Sequence, residues 1–441
     1  MTPVTLSRLL CGSRPDDHPI AFRSRSSLTF ARFAADVAGT KERIIGLGHR
    51  RIALACRDTY AFAVGFFGLL HSETDIIFPP NSQPGTIEAM HDSFDFLIDD
   101  TFIAGVEGRT ISLAPLDAER TSLSFFTSGS TGTPKRVLKS LAMFEREAET
   151  LERLWGTSAG NGPVLATVPH SHVYGFTFKL TWPLAAGRPF TSETHEFWET
   201  LLADLTEGAV VVSSPAHLSR LGALSPVAHA LKPSRVLSAG APLSFEAANE
   251  AQAIFGIRPT EIFGSTETGA VATRQQITDD EPWRLLPGIS MRVEMDGRLS
   301  LLSSFVGNDW IETADIVASA GDGFRFLGRT DRIIKIEGKR VSLPETEQAI
   351  TCLPWVTEAA AILIPGLPDR LAAAVVLNES GRQQLATLGA FRFSRLLRSA
   401  LSDTYEPANI PRSWRFIESL PSGNLGKRRE ADILSLFEKK P

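Results

Sequence analysis

Short apolar runs alternate with stretches of helical spacing along the first three hundred residues of this 441-residue chain. Arg51–Cys56 predicts a strand, Tyr60–Leu70 the helix after it, and Asp75–Phe78 the next strand. Phe94–Ile98 and Ser122–Phe126 continue the series, Leu141–Trp155 has helical spacing with a Glu-rich face, and Val164–Val168 returns to strand. Val210–Ser213 and Arg235–Ser238 repeat the theme, each ahead of a helix. Such alternation predicts α/β layers with largely parallel strands. After about residue 285 the texture changes. Met291–Leu302 holds Asp296-Gly297 between two alternating segments, a hairpin signal, and Asp322-Gly323 sits between another such pair. Past the charged segment at Gly328–Arg332, roughly 110 residues carry their own strand and helix patterns, enough for a small α+β domain.

Length and composition narrow this picture. The chain is two to three times the usual domain length. With 43% hydrophobic and 22% charged residues it is ordinary globular material, which excludes disorder, collagen and disulfide scaffolds. A net charge of −5 leaves no basic field for duplex nucleic acid. Cys11, Cys56 and Cys352 lie far apart without metal-ligand spacing, and His170 and His172 lack the Cys or acidic neighbours of a zinc site. The longest apolar run, Tyr60–Leu70, is too short to span a bilayer. The N-terminus shows no signal-peptide pattern. The expectation is a soluble cytoplasmic protein with no transmembrane segment.

The densest chemistry lies in Ser124-Phe-Phe-Thr127-Ser128-Gly129-Ser130-Thr131-Gly132-Thr133-Pro134-Lys135. An apolar strand delivers the chain into a loop of glycines and hydroxyls that ends in a lysine. Amides, hydroxyls and the ammonium aim donors at an anion, and glycine lets the backbone come close, so the stretch reads as a phosphate cradle. It is neither a Walker A sequence nor a GxGxxG fingerprint, and no GxSxG elbow accompanies it. Further on, Glu267 in a Gly/Ser/Thr turn offers the hard oxygen that Mg²⁺ takes, with a helix N-cap carboxylate as the lesser alternative. Asp315 offers acceptors for ribose hydroxyls, or an ordinary turn.

Together these stretches resemble the adenylate-forming superfamily of acyl- and aryl-CoA synthetases, adenylation domains and luciferases. The resemblance rests on the phosphate loop, on Phe263-Gly264-Ser265-Thr266-Glu267, on Thr313-Ala314-Asp315, on the hinge-like Gly328–Arg340, and on Leu420-Pro421 through Gly426-Lys427. It implies Lys427, Glu267, Thr266 and Lys135 as catalytic residues, with Glu267 also the metal ligand. Thr127, Ser128, Gly129, Ser130, Thr131, Gly132, Gly240, Ala241, Phe263, Gly264, Asp315 and Arg329 would bind ATP. By the same resemblance His172, Gly175 and Ala239 line the acid pocket and Asp331 is the hinge. Arg136, where the family usually has glycine, and Ala314, in place of the central glycine of Thr-Gly-Asp, are departures beside key residues. A third departure is the early phosphate loop, which implies a trimmed N-terminal subdomain and a compact member, similar to stand-alone ligases that load aryl or acyl groups onto carrier proteins in pigment or aryl polyene pathways.

The expected architecture is a large α/β domain of layered sheets and helices with a β-rich end over residues 1–329, and a mobile α+β lid over 330–441 bearing Lys427. The expected reaction uses ATP and Mg²⁺ to turn a small carboxylic acid, first of all a hydroxybenzoate, into an acyl-adenylate with release of pyrophosphate. The acyl group then passes to a phosphopantetheine thiol, with an acyl carrier protein favoured as partner. A CoA synthetase for a medium-chain fatty or aromatic acid is the alternative. From other classes, a phosphoryl-transferring NTPase and a non-catalytic binding protein on the same fold remain.

Overall fold

The apolar runs become strands where they are buried on both faces, as parallel strands under helices must be. The computed structural model describes residues 2–127, 135–222, 224–336, 339–364, 370–402, 410–421 and 430–438. Its chain divides into two compact units, the larger including Thr133–Met291 and Leu301–Ile311, the smaller including Arg292–Ser300 and running from Glu312 onward. The class is α/β, as expected.

In the larger unit one sheet takes the order Phe96–Ile98, Arg51–Leu54, Asp75–Phe78, Leu123–Thr127, Lys135–Lys139. Its first four strands are parallel and the last is antiparallel. The helix Thr59–Leu70 is buried at every position, so it has no solvent stripe and is walled in on all sides. Asp58 caps it through the Ala61 amide. Phe62 and Phe66 of this helix join Phe78, Phe125 and Phe176 in a knot of rings with centroids 4.5–6.1 Å apart.

A second sheet in this unit runs Trp283–Leu285, Gly269–Arg274, Thr260–Ser265, Arg235–Ala239, Val210–Ser213, Val164–Ala166, Phe190–Thr191, Pro19–Arg23, Ser26–Thr29. From Val164–Ala166 to Thr260–Ser265 the strands are parallel, so their carboxyl ends share one edge. On one face Val211 and Val236 pack against Trp198, Ala251 and Phe255. Burying side chains of this size contributes about 1.5–3 kcal/mol each.

Two differences from the sequence reading bear on the site. Lys135 opens a strand, Lys135–Lys139, paired with Leu123–Thr127 in the register Thr127↔Lys135 to Leu123↔Lys139. The chain from Val173 to Ala186 is one helical run with a π-helical middle, Phe176–Thr181, a form that often marks functional sites.

The smaller unit contains the hairpin of Ile311–Ala320 and Gly323–Arg329, turning at Gly321, whose φ of +60° suits glycine. It also holds a three-stranded sheet of Val356–Ile364, Arg370–Leu377 and Ser413–Ile417. Leu343–Thr351 and Glu379–Ser402 are its main helices, the latter broken at Gly389, which sits at φ +72°. No helix among the described residues is long and apolar enough to cross a membrane.

Candidate active site

Four parallel strands end on one edge of the second sheet, the usual place for ligands in α/β proteins. There Ala239 is buried, and Gly240 follows in a left-handed turn at φ +97° with Ala241 exposed. One strand over, Thr260–Ser265 ends in Phe263 and Gly264. The ring of Phe263 meets Trp283 edge-on at 5.2 Å. Gly264 is demanded by the fold, because a β-carbon there would collide with the Gly269 carbonyl. The pairing with Gly269–Arg274 shifts at Phe263/Gly264, a bulge that re-aims the turn that follows.

That turn, Ser265-Thr266-Glu267-Thr268, is tied by reciprocal bonds. The Ser265 amide donates to Thr268 Oγ1 at 3.1 Å, and the Thr268 amide donates to Ser265 Oγ at 3.2 Å. It presents Glu267 to the Lys135–Lys139 strand. Lys135 Nζ donates to Glu267 Oε1 at 2.8 Å across 132 residues of sequence. Burial works against ionisation of this carboxyl, yet the Lys135 hydrogen bond and charge, with the Ser265 hydroxyl, hold it below its ordinary value. The side chains keep 64% and 36% of their surface in solvent, so the pair is open to a ligand.

Strand alternation puts Lys135, Val137 and Lys139 on one face. Lys139, which the sequence reading missed, is buried and donates from Nζ to the backbone oxygen of Glu267 at 3.1 Å. Behind the turn the buried carboxylate of Glu147 accepts from the Ala270 amide at 2.7 Å and from Thr177 Oγ1 at 3.2 Å.

The remaining expected residues fall as follows. Thr127 is the last residue of its strand. Ser128, Gly129, Ser130, Thr131, Gly132 and Lys427 lie outside the described residues. His172 precedes the short helix Val173–Gly175 and accepts the Phe176 amide on its carbonyl at 2.8 Å. Gly175 has a packing reason of its own, since a β-carbon there would strike the Pro169 carbonyl.

In the smaller unit, Asp315 and Arg329 face each other in the hairpin register, and Arg329 Nη1 donates to Asp315 Oδ1 at 2.9 Å. Asp331 sits in the single turn Thr330–Arg332. Immediately after it, Arg332 grips Glu347 with two bonds of 3.0 and 2.6 Å, and Glu347 also accepts the Ala361 amide at 2.8 Å.

No cluster of three or more His, Cys, Asp or Glu among the described residues is placed to hold a metal alone. One ionised carboxylate beside a solvent-exposed lysine still fits Mg²⁺, which is commonly held by a carboxylate or two, water and substrate phosphates.

An edge of parallel strands, an open carboxylate and a lysine opposite it are the makings of a ligand site on an α/β fold. Residues 79–298 match the model of the family described as AMP-binding enzyme. A 4-coumarate–CoA ligase from Rhodobacter capsulatus is 29% identical over 320 residues, 71% of this chain and 77% of that protein. Among solved structures, ATP-bound MatB from Rhodopseudomonas palustris superposes with a TM-score of 0.80 at 18% identity, covering 99% of both chains. A benzoate CoA ligase from Burkholderia xenovorans LB400 gives 0.77 at 19%, covering 98% of this chain and 99% of that one. The chain belongs to the adenylate-forming superfamily of AMP-binding enzymes.

Proposed function

We propose that this enzyme is an acid–thiol ligase that activates a carboxylic acid as its adenylate. The carboxylate oxygen attacks the α-phosphorus of ATP, the α–β phosphoanhydride bond breaks, and pyrophosphate leaves with that bond's electron pair. In the second half-reaction a thiol sulfur attacks the acyl carbon, AMP departs, the thiol proton passes to solvent, and a thioester remains. Lys135 supplies fixed positive charge to the phosphates. Glu267, ionised by its surroundings, is the residue to hold Mg²⁺, which when bound neutralises charge developing on the phosphate oxygens. In this reading Asp315 and Arg329 serve the ribose, and Phe263, Gly240 and Ala241 the adenine. Residues 1–329 form the nucleotide-binding domain, and 330–441 a lid that turns at Asp331 to bring in and withdraw Lys427.

One observation carries the reading: Lys135 and Glu267, from two motifs far apart in sequence, meet at 2.8 Å with the carboxylate held ionised. The relatives' names, a 4-coumarate–CoA ligase and a benzoate CoA ligase, favour an aromatic acid and free CoA as the thiol. A carrier protein, favoured on compactness, is thereby the second choice of acceptor. The test is acid-dependent exchange of labelled pyrophosphate into ATP with Mg²⁺, across hydroxybenzoates, cinnamates and medium-chain acids. Exchange with an aromatic acid, followed by thioester formation on CoA, is the expected result. Release of ADP and phosphate alone sinks the reading, and loading of a holo carrier protein at higher kcat/KM than CoA reverses the acceptor.

A further inference from the structure

The Ser265–Thr268 turn is held from behind by two charged side chains that take no part in the chemistry above. Lys139 is 6% exposed and Glu147 is 4% exposed. They come from adjoining elements, the strand Lys135–Lys139 and the helix Leu141–Ala159. Lys139 Nζ holds the backbone oxygen of Glu267. Glu147 takes the Ala270 amide on Oε1 and the Thr177 hydroxyl on Oε2, Thr177 belonging to the π-helical turn Phe176–Thr181. Gly269 lies between the two attachments in a left-handed conformation, where a β-carbon would come within 3.1 Å of Glu147 Oε1.

Two buried charges are costly in such a place, and they are bonded to backbone atoms on either side of one short stretch, Lys139 to Glu267 in the turn and Glu147 to Ala270 at the start of the strand after it. Burial lowers the affinity of Lys139 for its proton and raises that of Glu147, and the attraction between the two opposes both shifts. A hydrophobic pair of the same volume would pack the core without this cost. What it would lack is a grip on the polar atoms at Glu267 and Ala270.

We infer that Lys139 and Glu147 are positioning residues, a clamp that fixes the Thr266-Glu267 turn at the height where Glu267 serves Mg·ATP. The inference rests on the reading of Glu267 above. Lys135 and Lys139 divide the work on one residue, the first meeting its carboxylate and the second its carbonyl. Displacement of a catalytic group by about 1 Å can cost on the order of 100-fold in rate.

The experiment uses the full chain with Lys139→Met, Glu147→Ala and Glu147→Gln. Hydrogen exchange of the peptide spanning 264–272 is read beside calorimetric binding of Mg·ATP and of metal-free AMP. For Lys139→Met and Glu147→Ala the clamp requires faster exchange at 268–270, and Mg·ATP affinity and exchange kcat lower by roughly 10- to 100-fold while AMP affinity is unchanged. Glu147→Gln keeps an acceptor for the Ala270 amide and should recover most of the loss. Unchanged exchange in Lys139→Met, or equal losses for Mg·ATP and AMP, overturns the clamp. Should Glu147→Ala not fold, Lys139→Met and Glu147→Gln decide. Glu267→Gln run in parallel keeps the two ideas apart. If it leaves Mg·ATP binding intact, the assigned role of Glu267 falls, whereas the exchange data judge the clamp.

Discussion

Two polar constellations in the larger unit use similar side chains to opposite effect. At the open one, Lys135 touches Glu267 directly and both side chains keep contact with water, so the carboxylate stays charged. The other is sealed. Lys179, wholly buried on the π-helical turn, donates to the Glu193 carbonyl at 3.0 Å and to Thr194 Oγ1 at 2.9 Å. Burial, against the weaker pull of Asp58 and Glu193, brings its pKa down to about 7. Nearby, His170 has both ring nitrogens engaged, Nε2 with the Cys56 carbonyl at 2.9 Å and Nδ1 with Thr59 Oγ1 at 3.0 Å. A carbonyl only accepts, so Nε2 carries the proton and Nδ1 accepts from Thr59. Burial first, then the charge of Lys179, pushes the histidine down to about 3. A direct, solvent-lit ion pair holds its charge, whereas burial without a direct counter-ion disfavours it. In the proposed function the first arrangement serves chemistry, while the second serves structure.

The largest effect should come from breaking the open pair. Glu267→Gln keeps the shape and removes the charge, and pyrophosphate exchange should fall by about 100- to 1,000-fold, the usual cost of a lost group at developing charge. Its thermal midpoint should move little, because an exposed ion pair contributes small stability. Wild-type exchange at saturating Mg²⁺ would erase the contrast with Lys179. Next comes Asp315→Asn, a second expected site carboxylate with a direct cationic partner. A hydrogen bond to a charged group contributes about 1.5–3 kcal/mol, so the KM for ATP should rise by roughly 10- to 100-fold with kcat less affected. A rise confined to the acid substrate's KM would move Asp315 out of the nucleotide site.

The open pair was half legible beforehand. Lys135 and Glu267 each stand out by the residues around them, but their meeting depends on two sheets and a sequence separation of 132 residues. Asp315 and Arg329 are 14 apart in a hairpin, but a register shift between Ile316 and Val317 is what brings them opposite each other, and alternation counted from the turn would have paired Asp315 with Gly328. The layered α/β architecture was readable because strands buried on both faces leave continuous apolar runs. Lys139 escaped notice because Lys135-Arg136-Val137-Leu138-Lys139 has too many cations to look like a strand, although its period of two is intact. Glu147 escaped because the helix carries several glutamates that are not buried, whereas Glu147 itself lies one turn from Phe144, Thr150 and Leu151 on the buried side. The π-helical turn leaves no periodic signature, and the charge state of Lys179 is a property of what surrounds it.

The smallest prediction sharpens the contrast through pH. The folded protein binds the Lys179 proton less tightly than the unfolded chain, whose lysines titrate near 10.5. Between about 7 and 10.5 the unfolded state therefore holds more protons, and this residue's contribution to stability rises with pH, by at most about 1.4 kcal/mol per unit. Below about 7 both states are protonated and its penalty is constant. Lys179→Met abolishes the slope while leaving Lys135 and Glu267 in place, so pyrophosphate exchange should stay near the native level. Urea unfolding of both proteins at half-unit steps from pH 6 to 9.5 isolates the residue, since every other titrating group is shared. The difference in stability between native and variant should be flat below pH 7 and climb in favour of the native chain above it. A difference that stays flat across the range would mean that Lys179 keeps its charge despite burial, and the distinction between the open and the sealed constellation would lose its electrostatic basis.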